Sequence, residues 1–443
     1  MFIKIAQLFL SLTILVTLHE FGHFWFAKKF KCRVDKFYLF FDFLFPFASV
    51  LNFPLFKKKI GDTEYGIGWF PFGGYVQIAG MVDEQMDKSI IDTPPQPWEL
   101  RSKPAWQRLL VMMGGIIVNF LLGIFIFWMV LFTWGKTTQP ISKLPHGLMV
   151  DSLGIQMGLR NGDYITSLDG APVKSINRIP IEIIMNGIKQ IEGVHEDGKK
   201  FKVQVSDDNR SKILKRLKKS DFVSPRFISK IGQIDSTSFA SNANLKNNDR
   251  IIAVNGIAVC YFDELKAQLI KNKSSKVDLL VLRGKDTITT KCQISAEGII
   301  GFKPASVEEI KLDVQTFGIV SAFTQGVKDG MELLIMQAKQ FVVIFTVKDA
   351  HKQVGGFYTM VQQMNSEWDW HSFWMFTGFL SLALAFMNFL PIPMLDGGYI
   401  MFILWEMITG KKVSDKIIYY ANNVGLFIVL GLMIYANTDW LRD

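Results

Sequence analysis

The 443-residue chain has little cysteine and little charge. Its three cysteines include no Cys-x-x-Cys pair, which excludes a thiolate zinc site, and their odd number argues against a disulfide framework. Charged residues make up 20% of the chain, against roughly 25% in ordinary soluble domains. The composition excludes a disordered chain, a collagen-like repeat and a disulfide scaffold.

Apolar and aromatic residues are abundant instead. Hydrophobic residues make up 49% of the chain, which contains 38 Phe and 11 Trp. The formal net charge is +9, but the basic residues are spread along the chain and form no single stripe, which argues against a nucleic-acid partner. The composition is therefore typical of a membrane protein that also carries polar domains.

Four stretches are apolar enough and long enough to cross a bilayer, which takes about 20 residues. They run approximately over residues 2–27, 109–134, 373–390 and 424–435. The last stretch is short, so we expect its start to reach back to Ile418. Tryptophans, which prefer the membrane interface, lie near the ends of these spans at Trp128, Trp134, Trp370, Trp374 and Trp440.

The charges around the first span predict its orientation. Only Lys4 precedes the apolar run, and no small-residue cleavage site follows it, so a signal peptide is disfavoured. The basic residues that follow the run are Lys28, Lys29, Lys31 and Arg33. The positive-inside rule then places the loop 28–103 in the cytoplasm. Four crossings place both termini and the region between the second and third spans outside.

The region between the second and third spans contains an internal repeat. Residues 159–170 align with residues 245–256 at a domain-sized offset of 86 residues. Each copy predicts a polar turn, a short alternating strand and an Asp-Gly or Asn-Gly hairpin turn. After the second copy, the pattern predicts a helix over 262–271 and two strands over 276–283 and 287–294.

Both copies resemble PDZ domains of bacterial proteases, the second more closely than the first. Two interpretations are open. The copies capture peptides by strand addition to a sheet edge, or they form a spacer or steric filter with an empty groove. The second copy holds Cys260 and Cys292, in an oxidising compartment under the predicted topology. We expect two free buried thiols there rather than a disulfide.

The first span contains a candidate metal site, His19-Glu20-Phe21-Gly22-His23. On a helix, residues four apart share a face, so both imidazoles can reach one metal ion, and Glu20 can take a proton from a metal-activated water. Ionisable groups inside a span are expensive, on the order of 3 kcal/mol for a charged residue, so this cluster needs a compensating role. The alternative is a polar cluster that packs against other helices.

A third ligand is expected near the end of the third span. Pro391 and Pro393 cannot continue a regular helix, and a broken backbone at membrane depth is tolerated only inside protein or beside a water-filled cavity. Asp396 follows this break and precedes two glycines. Two histidines and one carboxylate leave one zinc position open, which is the catalytic arrangement. The alternative role for Asp396 is a helix N-cap.

The intramembrane His-Glu-x-x-His, together with Asn-x-x-Pro-x-Pro-x-Leu-Asp-Gly, resembles the site-2 protease family. The tandem PDZ-like repeat narrows the resemblance to the bacterial regulator of sigma-E protease type, and the resemblance covers nearly the whole chain. It implies a bound Zn²⁺ ion. It also implies specific roles: metal ligation by His19, His23 and Asp396, general-base catalysis by Glu20, and binding of the substrate backbone by Asn388.

Two segments of the loop after the first span also resemble the family. Residues 61–65 and 71–76 are similar to a membrane-dipping β-hairpin region that presents an edge strand to substrate. The resemblance implies that Gly73, Gly74 and Tyr75 bind substrate. The Phe-rich stretch 37–56 has no assignment from its pattern.

The second span carries a further similarity to the family. Residues 115–119 are similar to a Gly-Pro-x-x-Asn segment, with Ile116 in the usual place of proline. This departure gives the segment less weight than the two metal-ligand motifs.

The sequence thus predicts a polytopic α-helical membrane protein with four transmembrane helices, a membrane-associated β-hairpin region and two α+β PDZ domains. The predicted order along the chain is a first transmembrane helix with the His-Glu-x-x-His motif (1–30), a cytoplasmic loop with the β-hairpin region (31–104), a second transmembrane helix (105–135), a first PDZ-like domain (136–220), a second PDZ domain (221–305), an amphipathic linker (306–371), a third transmembrane helix (372–392), a Leu-Asp-Gly segment with a cytoplasmic loop (393–417), and a fourth transmembrane helix with the C-terminus (418–443).

The expected function is zinc-dependent cleavage of peptide bonds within or at the edge of the bilayer. Family resemblance implies single-span membrane proteins as substrates, such as anti-sigma factors or remnant signal peptides. It also implies a multi-pass location in the bacterial inner membrane, with the PDZ domains and both termini in the periplasm. Two alternatives remain. The first is a non-catalytic membrane scaffold that binds peptides through its PDZ domains. The second is a zinc-binding or zinc-transport protein.

Overall fold

The computed structural model describes residues 1–43, 51–71, 73–81, 94–138, 140–141, 144–217, 221–305 and 313–438. The chain forms two compact units. The membrane unit comprises residues 1–135, 316–341 and 354–443, and the repeat unit comprises residues 136–315 and 342–353. Trp440 and part of the 37–56 stretch lie outside the described residues.

The chain combines long apolar helices with short helices and short strands. The helices are α1 (Phe2–Lys29), α2 (Ala105–Trp134), α3 (Ser152–Met157), α4 (Arg178–Asn186), α5 (Asp207–Arg216), α6 (Phe239–Asn242), α7 (Phe262–Lys271), α8 (Ile319–Thr346), α9 (Phe357–Gln363), α10 (Trp370–Phe389), α11 (Asp396–Thr409) and α12 (Asp415–Asn437). The strands of the membrane unit are β1 (Val34–Leu39), β2 (Pro54–Ile60), β3 (Thr63–Gly68) and β4 (Tyr75–Ile78).

The strands of the repeat unit are shorter on average and more numerous. They are β5 (Lys136–Thr138), β6 (Leu148–Val150), β7 (Tyr164–Leu168), β8 (Ala171–Pro172), β9 (Gln190–Val194), β10 (Lys200–Gln204), β11 (Val223–Pro225), β12 (Ile231–Ile234), β13 (Arg250–Val254), β14 (Ile257–Ala258), β15 (Lys276–Arg283), β16 (Asp286–Gln293), β17 (Phe302–Pro304) and β18 (Asp313–Gln315).

Within the described part of the chain, four helices are long and apolar enough to cross a membrane, namely α1, α2, α10 and α12, which confirms the four predicted spans. Each forms where an apolar run is uninterrupted by proline. The Asp369 side chain caps α10 by accepting a hydrogen bond from the Ser372 backbone N–H. The region predicted as an amphipathic linker contains the 28-residue helix α8 and the short helix α9.

Helices α1 and α2 pack with their backbones in contact. A Cβ atom at Gly22 would lie 2.3 Å from the Gly114 carbonyl oxygen, and one at Gly114 would lie 2.5 Å from the Gly22 oxygen. Small residues at a membrane helix interface allow such close approach. The contact presses the histidine-bearing turn of α1 against α2.

The loop between α1 and α2 forms a four-stranded sheet of order β2-β3-β1-β4. Strand β1 pairs in parallel with β3 and antiparallel with β4, and β2 and β3 form a hairpin whose turn contains Gly61. Gly61 adopts φ +62°, which glycine tolerates without strain. Strand β4, which begins at Tyr75, is an edge strand of this sheet.

The sequence repeat between the second and third spans is also a structural repeat. The first copy forms a sheet of order β10-β9-β7-β8 and the second a sheet of order β16-β15-β13-β14, so corresponding strands occupy corresponding places. In each copy one helix lies between the second and third strands in chain order. This helix is α4, between β8 and β9, in the first copy and α7, between β14 and β15, in the second. The turns Asp169-Gly170 and Asn255-Gly256 have positive φ at both residues, as the hairpin signal predicts.

Arg226 joins the two copies within the repeat unit. Its side chain is buried and forms ion pairs with Asp263 and Glu264 of the second copy and with Glu196 of the first. The guanidinium also lies 3.7 Å from the centre of the Tyr261 ring. A buried charge is tolerated only with such partners, so this side chain fixes one copy against the other.

All three cysteines are free thiols. Cys32 and Cys292 are buried, and burial raises the pKa of the Cys292 thiol to about 11. Cys260 is exposed, so the expectation of a buried thiol is wrong at this position. It follows the short strand β14, where the chain runs along the surface of the second copy.

Candidate metal centre

His19 and His23 lie on one face of α1, one turn apart. Both side chains are buried, and their Nε2 atoms are 3.2 Å apart. The Nδ1 atom of His23 lies 2.8 Å from the Val111 carbonyl oxygen. A carbonyl oxygen only accepts hydrogen bonds, so Nδ1 carries the proton and the Nε2 lone pair of the neutral ring points toward His19.

Asp396 reaches the same point from the other end of the chain. Helix α10 ends at Phe389, the two prolines follow, and α11 begins at Asp396. Glycines permit this tight approach, since a Cβ at Gly397 would lie 2.1 Å from the Leu390 carbonyl oxygen. The Oδ2 atom of Asp396 is 3.2 Å from His19 Nε2 and 3.3 Å from His23 Nε2.

These three atoms form a triangle that fits zinc. A tetrahedral zinc ion with bonds of about 2.0–2.1 Å separates its ligand atoms by about 3.3 Å. The observed edges are 3.2, 3.2 and 3.3 Å. Two neutral imidazoles and a carboxylate direct lone pairs at one point, which is favourable when a cation occupies it. Among the described residues this is the one group of three such side chains whose ligand atoms lie within 4.8 Å of one another.

Helix α2 supplies the contacts that orient His19. The fully buried Asn119 side chain places Nδ2 3.2 Å from His19 Nδ1. Rotation of the amide by 180° exchanges its nitrogen and oxygen, so that the oxygen accepts the Nδ1–H and Nε2 is left for the metal. Gly115 makes room for the ring, because a Cβ there would lie 2.4 Å from His19 Cε1. These contacts explain why the 115–119 segment begins with glycine and ends with asparagine.

Glu20 lies beside the two histidines, next to the edge strand of the sheet. Glu20 and Val76 of β4 line the same cavity. Since Val76 belongs to β4, that strand lies beside the candidate metal centre. Asn388, near the end of α10, places its Nδ2 atom 3.5 Å from His19 Nε2.

A single cavity of about 790 Å³ in the membrane unit brings the predicted residues together. Its walls include all of the predicted site residues, namely His19, Glu20, His23, Gly73, Gly74, Tyr75, Asn388 and Asp396. The remaining walls are largely apolar. Such a cavity can hold an extended apolar peptide segment beside the ligand triangle.

The cavity is also lined by residues that the sequence analysis missed. The polar ones on α11 and α12 are Tyr399, Asn422 and Asn437. Their signal was present in the sequence, because an amide side chain within an apolar span is expensive and usually has a role. The fourth span contains Asn422 and Asn423 side by side, yet only a packed structure shows that the first of them is buried.

Tyr75 contributes to the cavity from a fixed position. Its ring stacks on Tyr38 at a centroid distance of 5.4 Å, and its hydroxyl donates to Asp42 Oδ1 at 2.9 Å. The side chain is therefore an anchor for β4. A bound peptide would meet the backbone of this residue rather than its hydroxyl.

The chain is similar to known metalloproteases. The model of the family described as "Peptidase family M50" matches residues 7–432. A relative from Xylella fastidiosa (strain 9a5c), whose name calls it a zinc metalloprotease, is 25% identical, with 98% of this chain and 97% of the relative covered. "Protease RseP" from Yersinia pestis is 25% identical over the same shares. "Regulator of sigma-E protease RseP" from Salmonella typhimurium (strain 14028s / SGSC 2262) is 24% identical, again with 98% and 97% covered.

The family match spans nearly the whole chain and confirms the resemblance on which the predicted enzyme class rests. The chain belongs to peptidase family M50 and is a metalloprotease.

Proposed function

We propose that the protein is an intramembrane zinc endopeptidase that cuts the membrane-spanning segments of single-span proteins. The proposed ligands are His19, His23 and Asp396, and the proposed general base is Glu20. The observation that carries this proposal is the triangle of ligand atoms with edges of 3.2–3.3 Å, formed by residues from two membrane-embedded segments. The His-Glu-x-x-His spacing alone does not supply the third ligand, Asp396.

Each residue of the proposed site has its own role in peptide hydrolysis. His19, His23 and Asp396 would hold a zinc ion, which would supply Lewis-acid polarisation of the scissile carbonyl and a water pKa lowered toward about 7. Glu20 accepts the proton of the attacking water and returns it to the leaving amine. The Asn388 amide, close to His19, can donate a hydrogen bond to the substrate backbone beside the reacting carbonyl.

The substrate must be extended at the site, since a helix hides its carbonyl groups in internal hydrogen bonds. Strand β4 is the last strand of its sheet and lines the cavity with Glu20, and strand addition at that edge would hold a peptide extended. Gly73 and Gly74 precede β4 and leave this part of the cavity wall without side chains. A Cβ at Gly74 would lie 2.7 Å from the Tyr38 carbonyl oxygen, so the close packing behind the edge also requires glycine.

The type of domain, the location and the substrates are inferred from the sequence pattern and from the relatives together. We assign the two repeat copies as PDZ domains, since each has the same strand order with one connecting helix. Their role is either peptide binding or steric exclusion of untrimmed proteins. The charge distribution supports an inner-membrane location with the repeat unit and both termini in the periplasm. Anti-sigma factors and remnant signal peptides are the proposed substrates, since two relatives are named RseP.

The deciding experiment compares wild type with Glu20→Gln in lipid vesicles. Cleavage of a model single-span substrate and bound zinc are measured for both. We expect cleavage by wild type alone and equal zinc in both proteins, because Glu20 is not a ligand. Glu297→Gln is the matched control, since Glu297 is an exposed residue of the repeat unit.

Other outcomes would favour the alternatives. Absence of cleavage by either protein, with repeat-dependent capture of the substrate, would favour a membrane scaffold. Stoichiometric zinc without cleavage would favour a zinc-binding or zinc-transport protein. Cleavage by Glu20→Gln at the wild-type rate would refute the assigned base.

A further inference from the structure

Asn422 is a buried amide on a helix that is otherwise largely exposed. Its relative exposure is 2%, although it lies within the membrane-spanning helix α12. A polar side chain in a span is costly unless its hydrogen bonds are used. The position of this residue therefore calls for specific partners.

Two hydrogen-bond partners of Asn422 flank the proposed ligand Asp396. Its Oδ1 atom accepts a hydrogen bond from the Met394 backbone N–H at 3.3 Å, two residues before Asp396. Its Nδ2 atom donates to the Tyr399 hydroxyl at 2.9 Å, three residues after Asp396. One side chain on α12 thus holds the segment on either side of the carboxylate.

The backbone at Met394 needs such support. Met394 adopts φ +80°, in the left-handed region that is unfavourable for a residue with a side chain. This turn directs the chain out of the proline break and into the first residue of α11, which is Asp396. A hydrogen bond to the Met394 N–H stabilises the strained turn that delivers the ligand.

Close packing beside Asn422 serves the same segment. Gly425 lies one turn further along α12, and a Cβ there would lie 2.1 Å from the Pro393 carbonyl oxygen. The helix backbone therefore touches the proline break next to the point where Asn422 bonds to it. Asn422 and Gly425 are on one face of α12, which is directed at the Asp396 segment.

We propose that Asn422 is a positioning residue that holds the Asp396 carboxylate in the ligand triangle through the Met394 backbone and the Tyr399 hydroxyl. This inference rests on the proposed ligand set. Residues that orient metal ligands typically change metal affinity by about 10–100-fold when they are replaced. Asn422 acts on the ligand from a separate helix, without contact with the metal.

The test measures zinc affinity of the full-length protein by competition with a chelator, together with the absorption spectrum of the Co²⁺-substituted protein. We expect Asn422→Leu to weaken zinc binding by about 10–100-fold and to shift the Co²⁺ bands. Asn423→Leu is the matched control, since the Asn423 amide donates to the Tyr419 carbonyl oxygen of its own helix. The control should bind zinc as wild type does.

A second substitution tests the route through the backbone. Glycine adopts φ +80° without strain, so Met394→Gly in the Asn422→Leu background should restore part of the lost zinc affinity. If Asn422→Leu does not yield monodisperse protein, Asn422→Ser replaces it in both comparisons. Absence of any rescue would overturn the route through Met394.

The controls separate this inference from the proposed function. Zinc affinity of Asn422→Leu within twofold of wild type, with zinc lost in His23→Ala, would overturn the role of Asn422 alone. An equal loss in Asn422→Leu and Asn423→Leu would also overturn it, since a general disturbance of α12 would then suffice. Wild type that binds no zinc, or zinc that His23→Ala retains, would instead refute the proposed metal centre.

Discussion

Replacing Gly115 by alanine adds a single methyl group behind the first metal ligand. The new Cβ would lie 2.4 Å from His19 Cε1 and 2.6 Å from both ring nitrogens, whereas ordinary contacts begin at 3.4 Å. The ring must therefore move by about 1 Å. A displacement of this size in a reacting assembly costs about 100-fold in rate, equivalent to about 2.7 kcal/mol. The change is small enough to leave the apolar packing of α2 intact.

The assay is cleavage of a single-span substrate in vesicles at saturating concentration, with zinc affinity measured in parallel. We expect Gly115→Ala to lose about 100-fold in kcat and to bind zinc more weakly. Gly431→Ala is the control, since a Cβ at Gly431 meets no atom within 4 Å and alanine favours a helix. Wild-type zinc affinity and rate in Gly115→Ala would refute the assignment of His19 as a ligand held against α2.

Two further predictions concern the repeat unit. Lys215 and Lys352 lower the pKa of the Asp349 carboxyl from 3.8 to about 2, so the stability this group contributes is present above about pH 4 and is lost as the pH falls toward 2. Asp349→Asn should remove that part of the pH dependence of thermal unfolding, and identical pH profiles would contradict it. In spheroplasts, a membrane-impermeant maleimide should label exposed Cys260 and leave buried Cys32 and Cys292 unlabelled. Cys260→Ser is the control, and labelling that appears only after lysis would reverse the predicted topology.

The spans and the ligand motifs could be predicted because their signals are local. An uninterrupted apolar run is sufficient to predict a membrane helix, and a four-residue spacing is sufficient to place His19 and His23 on one face. The hairpin turns of the repeat were equally local, since Asp169-Gly170 and Asn255-Gly256 prefer the required positive φ. In each case a few neighbouring residues determine the conformation.

Other features depend on pairing between distant segments. The parallel pairing of β1 with β3, which leaves β4 at an edge, is not determined by any short pattern in the loop. Helix α8 was not predicted as a helix because polar residues such as Lys328 and Asp329 leave it no long apolar run. The role of Asn422 likewise depends on where α12 packs, which no window of the fourth span reveals.

The proposed metal centre takes its ligands from opposite ends of the chain, and this has a consequence in time. His19 and His23 are synthesised first, and Asp396 is added 373 residues after His23. At about 5–20 residues per second, the two events are separated by tens of seconds. Throughout that interval the nascent protein holds the histidines and Glu20 but lacks the third ligand. Cleavage activity that needs all three proposed ligands would therefore begin only after Asp396 has been added.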